Sequence, residues 1–297
     1  MIETTKGRRA FQVINVVILC IAALLCILPF LNLLSISLSS KLAASKGVIG
    51  FWPQEATLSS YIFIMRSAQF IRSFVIAIIR ELLGVPINLA IILLTAYPLS
   101  KTREQFRWRN MYSWFFVFTM FFVPSLIPTY ILVSSLHIMD TIWAITLPCA
   151  FPVFSMIVML NFFRNLPKEL EESATIDGAG HFRILTQIFI PTSLPSIATV
   201  TLFSVVMHWN SWFDGILYMN SPSNYPLQSY LQTIVVNPGQ LLQTMMNDPE
   251  VYKILQSVSD QTTQAAQLFI AAIPMLLIYP FLQKYFITGL VLGSVKE

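Results

Sequence analysis

The chain has 297 residues, of which 56% are hydrophobic and 11% charged, with a mean hydropathy of +0.69 and a formal net charge of +4. Soluble domains carry about a quarter of their residues as Asp, Glu, Lys and Arg, so these values exclude an ordinary water-soluble enzyme and leave the bilayer as the solvent for most of the chain. The small positive charge calls for no nucleic-acid partner and instead carries information on topology.

A helix needs about 20 apolar residues to cross the hydrocarbon core, and six such runs occur, at 11–38, 70–99, 111–133, 142–163, 191–219 and 265–286. The expected fold class is therefore an all-α integral membrane protein with six transmembrane helices in one transmembrane domain spanning 1–297. The first run is longer than the apolar core of a signal peptide and lacks a small-residue cleavage site, so it reads as a retained helix. Cys20, Cys26 and Cys149 lie inside apolar runs without metal-ligand spacing and read as small packing residues.

Basic residues near helix ends mark the cytoplasmic side. Lys6, Arg8 and Arg9 place the N-terminus inside, and Lys101, Arg103, Arg107 and Arg109 place the next inner loop between helices two and three. Arg164, Lys168 and Arg183 do the same for 164–190, and Lys284 and Lys296 for the C-terminus. Lys41, Lys46 and Arg66 in the first external loop run against the rule, whereas the connection around His137 and Asp140 has no Lys or Arg. That first loop also carries the turn signal Gly50-Phe51-Trp52-Pro53, with Trp52 as an interfacial aromatic.

Helix two carries Arg80 and Glu81. Counting about 20 residues back from Leu99 places them close to the outer boundary, either as an interfacial pair that snorkels to water or as a polar lining of a translocation path. His208 and Asp214 lie similarly toward the outer end of helix five. There Trp209, Asn210, Trp212 and Phe213 combine aromatic faces with an amide, a mixture suited to lining a path for a molecule with hydroxyls and apolar faces; a lipid-interface belt explains the tryptophans equally well. Helix-interior prolines such as Pro86, Pro124, Pro148, Pro152 and Pro195 each remove a backbone donor, which reads as ordinary membrane-helix irregularity or as hinges. The long outer interval 220–264, with Pro222, Pro226 and the turn Asn237-Pro238-Gly239, is expected to hold short helices near the membrane surface.

The inner interval 164–190 is the most informative segment. Pro167 followed by Glu169, Glu171 and Glu172 suits the first turn of a helix, Asp177-Gly178 ends that helix, and Phe182, Leu185, Ile188 and Phe189 recur at helical spacing after Gly180. The predicted object is a short surface helix, a tight bend and an amphipathic lead into helix five, a shape suited to a partner's groove.

At these residues the sequence resembles the permease subunits of binding-protein-dependent ABC importers, whose loop reads Glu-Ala-Ala, two residues, Asp-Gly-Ala, then an apolar stretch ending in Pro. Glu172-Ser173-Ala174, Asp177-Gly178-Ala179 and Ile188-Phe189-Ile190-Pro191 stand in those places, with Ser173 and Thr186 as small departures. Ala96-Tyr97-Pro98-Leu99-Ser100-Lys101, Trp209-Asn210-Ser211-Trp212-Phe213, Tyr225-Pro226-Leu227-Gln228 and Gln283-Lys284-Tyr285-Phe286 with Gly289 and Gly293 are similar to the carbohydrate-uptake branch, above all to permeases for oligosaccharides or polysaccharide fragments.

The resemblance implies a type I ABC importer permease fold in the bacterial cytoplasmic membrane. It also implies as partners a different but homologous permease, two ATPase subunits and an extracellular or periplasmic sugar-binding protein. ATP and Mg would be held by the partner ATPase, with no cofactor in this chain, which has no Gly-x-x-x-x-Gly-Lys-Ser/Thr loop and no catalytic residue of its own. In the coupling loop, Glu172 and Asp177 would supply charge and caps, Ala174 and Ala179 close approach, Gly178 the bend and Pro191 the exit. Arg80 and the helix-five aromatics are the candidates for the substrate path. A self-contained secondary transporter would instead show intramembrane carboxylates or inverted repeats of broken helices, and a membrane-embedded hydrolase clustered His, Asp or Ser.

Overall fold

In hydrocarbon every backbone N–H and C=O must find a partner within the protein, and continuous apolar runs of about 20 residues meet that need as helices, segment by segment. The computed structural model describes residues 6–47, 49–122, 124–236 and 258–294, and among these there is no strand. The helices are α1 (Lys6–Ser37), α2 (Lys41–Ser45), α3 (Ser59–Arg66), α4 (Ala68–Ser100), α5 (Arg109–Phe121), α6 (Leu126–Ser135), α7 (Ile142–Cys149) and α8 (Val153–Arg164). They continue as α9 (Lys168–Ile176), α10 (His181–Thr192), α11 (Leu194–Asn210), α12 (Phe213–Tyr218), α13 (Leu227–Val236) and α14 (Asp260–Ser294).

Ala10–Ser37, Ala68–Ser100 and Asp260–Phe281 are long and apolar enough to cross a bilayer alone. The bent pairs α5 with α6, α7 with α8 and α10 with α11 bring the count to six when each pair is one crossing.

Those pairs correct three expectations, the continuous helices at 111–133, 142–163 and 191–219. The first is broken around Pro124, between α5 and α6. The second bends by 48° where Pro148 winds the end of α7 into a 3-10 turn and Pro152, which has no N–H, precedes α8. The third bends by 86° at Ser193, between Pro191 and Pro195, then stops again at Asn210 and restarts at Phe213 after the extended Ser211. Interval 220–264 contains α13 and the first turn of α14. Asn237-Pro238-Gly239, Lys296 and the side chains from Lys284 onward lie outside the described residues.

Contacts divide the chain into two units, residues 1–70 with 233–273 and residues 71–232 with 274–297. In the first, α1 is exposed along most of its length, Cys20 and Cys26 included, so these cysteines do not pack within the chain. The loop after α1 is tied down by polar contacts: Ser37 Oγ meets Tyr61 Oη at 2.7 Å, and Asn32 donates to the Gly50 carbonyl at 2.9 Å. Thr57 N–H donates to the Leu38 carbonyl at 2.8 Å, and Ser40 caps α2 by accepting from Ala43 N–H at 3.2 Å. The core of the second unit joins the end of α4 (Ile92, Ala96, Leu99) to α8 (Met156, Met159, Leu160, Phe163), the loop (Ala174, Ile184, Leu185, Phe189) and Val200 of α11.

Candidate functional site

Helix α9 follows Pro167 and places Glu169 and Glu171 in its first turn, where carboxylates meet the positive end of the helix dipole. It ends by a backbone device. Gly178 N–H donates to the Thr175 carbonyl at 3.0 Å and Ala179 N–H to the Ala174 carbonyl at 2.9 Å, with Gly178 at φ +78°. These are the two bonds of a Schellman stop, which needs a left-handed residue, almost always Gly, just past the helix end and an apolar contact between the flanking positions. Ala174 and Ala179 occupy those positions and both pack on the core. The Ala-x-x-Asp-Gly-Ala spacing is thus the sequence of a helix stop.

Two of the expected roles shift. Asp177 caps through its backbone N–H, which donates to the Ser173 carbonyl at 3.1 Å, and its carboxylate is exposed. Glu172 is also exposed, while the neighbouring Glu171 pairs with Lys101 at 2.6 Å. After the stop, α10 runs through a wider turn at Leu185–Phe189, where the Ile190 N–H reaches back to the Leu185 carbonyl. Pro191 cannot donate to Gln187, so the ladder is already interrupted at this point. Ile176 is 87% exposed and Phe182 72%, one on each side of the Gly178 bend, although both are large apolar residues.

The end of α4 sits against both arms of this loop. The Lys101 ammonium lies 3.8 Å from the centre of the Tyr97 ring and 4.5 Å from that of Phe189, in the geometry of a cation–π cage closed by Glu171. Burial pushes the Lys101 ammonium below its ordinary pKa, and the hydrogen bond and charge of Glu171 oppose that fall. Arg109 and Arg164 donate to the carbonyls of Lys101 and Leu99 at 2.9 and 3.1 Å, satisfying the helix terminus and its negative dipole end.

A second polar centre lies deep between α4, α11 and α12. Arg80 is 1% exposed. Its guanidinium forms a bidentate pair with Asp214, donates to the Ser211 carbonyl at 3.3 Å and approaches His208 Nδ1 with its Nε at 3.4 Å. Asp214 in turn accepts from Gly215 N–H at 2.9 Å. The His208 ring is seated over Gly84, where a Cβ would stand 2.5 Å from Nε2. Arg80 therefore fills the gap left where the helix stops at Asn210, and among the described residues its side chain is almost fully enclosed. The sequence placed all three groups near the same depth but did not join them.

The helix-five candidates separate. Trp209 is buried, edge-on to Phe74 with ring centres 6.1 Å apart, so it is neither an interfacial belt residue nor an open platform. Asn210, Trp212 and Phe213 are exposed at the break, and the rings of the last two meet edge-on at 5.6 Å. The Trp212 carbonyl accepts from Ser229 Oγ at 2.6 Å, which anchors the break to α13. Among the described residues no cluster of His, Cys, Asp and Glu could hold a metal.

Residues 87–291 match the family described as binding-protein-dependent transport system inner membrane component. The chain belongs to this family. The permease is 35% identical over 294 residues to protein LplC of Bacillus subtilis, covering 99% of this chain and 97% of that one. It is 35% identical over 291 residues to the polygalacturonan/rhamnogalacturonan transport system permease protein YtcP of the same organism, covering 97% and 99%. A chain of the crystal structure of a bacterial ABC transporter involved in import of the acidic polysaccharide alginate superposes with a TM-score of 0.85 at 30% identity, over 96% of this permease and all of that chain. The permease fold expected from the sequence is the one observed.

Proposed function

We propose that this permease forms half of the translocation path of an ATP-driven importer for carbohydrate oligomers, and that the loop 164–190 is where a separate ATPase drives it. The observation that carries the reading is the loop itself: a helix stopped by Gly178, packed on the core through Ala174 and Ala179, with Ile176 and Phe182 turned out to water. A loop that merely covered the membrane surface would gain nothing by exposing large apolar residues on both sides of a fixed bend, whereas a docking helix needs them.

The partners are a second, homologous permease, two ATPase subunits that hold ATP and Mg, and a sugar-binding protein on the opposite face. The loop and both termini face the cytoplasm in this reading, supported by the Lys and Arg residues at 101–109 and 164–183. ATP binding draws the loops of the two permeases together and opens the cavity outward; hydrolysis resets it. The cargoes named for relatives, polygalacturonan/rhamnogalacturonan and alginate, support a piece of a polysaccharide as cargo. The exposed ring of Trp212 and amide of Asn210 suit the apolar faces and hydroxyls of such a molecule.

The test is uptake of labelled oligosaccharide by proteoliposomes holding the complex purified through this chain, together with its binding protein. Uptake should require ATP and collapse for Gly178→Val while the ATPase still copurifies. Accumulation driven by an ion gradient without ATP would point to a secondary transporter instead.

A further inference from the structure

The last turn of α4 is the place where both arms of the loop meet one rigid element. Glu171 of α9 reaches Lys101 at 2.6 Å. From the other arm, His181 Nδ1 lies 3.3 Å from Tyr97 Oη, and the Phe189 ring stands edge-on to Tyr97 with centres 5.0 Å apart. Tyr97 lies in the last turn of α4 and Lys101 directly follows its last residue, Ser100, and the Lys101 ammonium sits over the rings of Tyr97 and Phe189.

The surroundings leave these contacts to act as a bridge. A cavity of about 730 Å³ opens beside the Lys101–Glu171 pair, lined by Gln105, Lys168 and Thr175 among others. A second, of about 370 Å³, opens on the other arm beside Tyr97, His181 and Phe182. A lysine in such a place is unusual: its side chain is 6% exposed, its charge is matched by one carboxylate, and a surface lysine would have cost nothing. If the loop needed only to be packed, an apolar side chain at 101 would serve as well.

We propose that Lys101 and Tyr97 form the joint through which movement of the loop is delivered to α4, with Lys101 holding the first arm by Glu171 and Tyr97 holding the second by His181 and Phe189. Lys101 is a positioning residue in this scheme. It contacts neither cargo nor ATP, and it fixes the angle of the two arms at the Gly178 bend relative to a helix whose middle carries the buried Arg80. The inference rests on the reading of the loop as the ATPase-coupling element. It goes beyond that reading by assigning the receiving side of the coupling to two residues outside the loop.

The experiment compares Lys101→Met, Lys101→Arg, Glu171→Lys and Gly178→Val in the full complex, measuring three things for each: ATPase subunits copurified, ATP hydrolysis with and without loaded binding protein, and sugar uptake. Lys101→Met and Glu171→Lys are expected to assemble and hydrolyse ATP, yet to lose stimulation by the loaded binding protein and lower uptake on the order of tenfold, within the range that coupling between distant sites spans. Lys101→Arg, which keeps charge and ring contact, retains most of the uptake. Normal stimulated hydrolysis and uptake in Lys101→Met and Glu171→Lys, with Gly178→Val impaired, would overturn the joint and leave the loop reading standing. Normal uptake in Gly178→Val would overturn the loop reading itself. Loss of the ATPase from Lys101→Met and Lys101→Arg alike would also overturn the joint, because the residue would then serve assembly.

Discussion

Arg80 and Asp214 offer a quantitative test of how the centre of the permease is held. Arg80 is 1% exposed and Asp214 14%, with a bidentate contact between them and one further donation from Arg80 to the Ser211 carbonyl. Breaking a buried pair by removing one partner costs about 3–5 kcal/mol, because a charge is left uncompensated, whereas replacing both with apolar groups of similar size is often close to neutral. The two single changes should not be equal. A carboxylate left alone can take up a proton, but a guanidinium cannot lose one, so Asp214→Leu should destabilise more than Arg80→Met. The double variant still leaves the Ser211 carbonyl without its donor, at about 1–3 kcal/mol, and should fall between wild type and Asp214→Leu. Fraction folded after heating, read by size-exclusion retention in detergent, gives the order wild type, double, Arg80→Met, Asp214→Leu. A double variant as unstable as the sum of the singles would refute the reasoning, as would Arg80→Met proving the worse single change.

At Gly84 a Cβ would stand 2.5 Å from His208 Nε2, so Gly84→Ala should lower thermal stability by about 1–3 kcal/mol, typical of overpacking; Gly84→Ala with His208→Ala should recover part of it, and no recovery would place the fault elsewhere. At Gly178 nothing lies within 4 Å of the missing Cβ and the difficulty is φ +78° alone, at about 1–2 kcal/mol for an ordinary L-residue. Uptake should then fall in the order Gly178→Asn, Gly178→Ala, Gly178→Val, since Asn tolerates left-handed backbone best. Equal loss in all three would mean that a partner's surface, and not backbone conformation, demands the glycine. Asn210→Ala and Trp212→Ala should raise the KM for sugar uptake with little change in thermal stability, whereas Trp209→Ala should lower stability by about 3–5 kcal/mol as a buried aromatic does. Sugar dependence unchanged in the first two would remove them from the path.

Much of this was legible in the residues. The spans around α1, α4 and α14 follow from length and hydropathy, and the Gly178 bend follows from Asp-Gly after an acidic first turn. Hydropathy counts residues without direction, however, and cannot tell a straight crossing from two helices joined at an angle. The prolines at 124, 148, 152, 191 and 195 were the signal for the breaks, and their meaning depended on neighbours that only the folded chain supplies. Arg80, His208 and Asp214 stood at similar depth with opposite charges, which is enough to suggest the pair, yet Glu81 beside Arg80 offered a nearer and wrong partner. Within the loop the pattern drew attention to Glu172, while the helical phase of α9 gives the inward contact to Glu171 and leaves Glu172 exposed. Lys101 read as one more basic residue at an inner boundary, because nothing in linear sequence distinguishes a solvated lysine from one caged between Tyr97 and Phe189.

The proposed grip of an ATPase on the loop is tested most directly at Ile176, exposed beside the Gly178 bend. A photo-crosslinking amino acid at position 176 in the intact membrane complex should, on illumination, join this chain to the subunit that hydrolyses ATP, with a yield that changes when ATP is bound. Crosslinks to lipid alone, with the ATPase present in the complex, would contradict it.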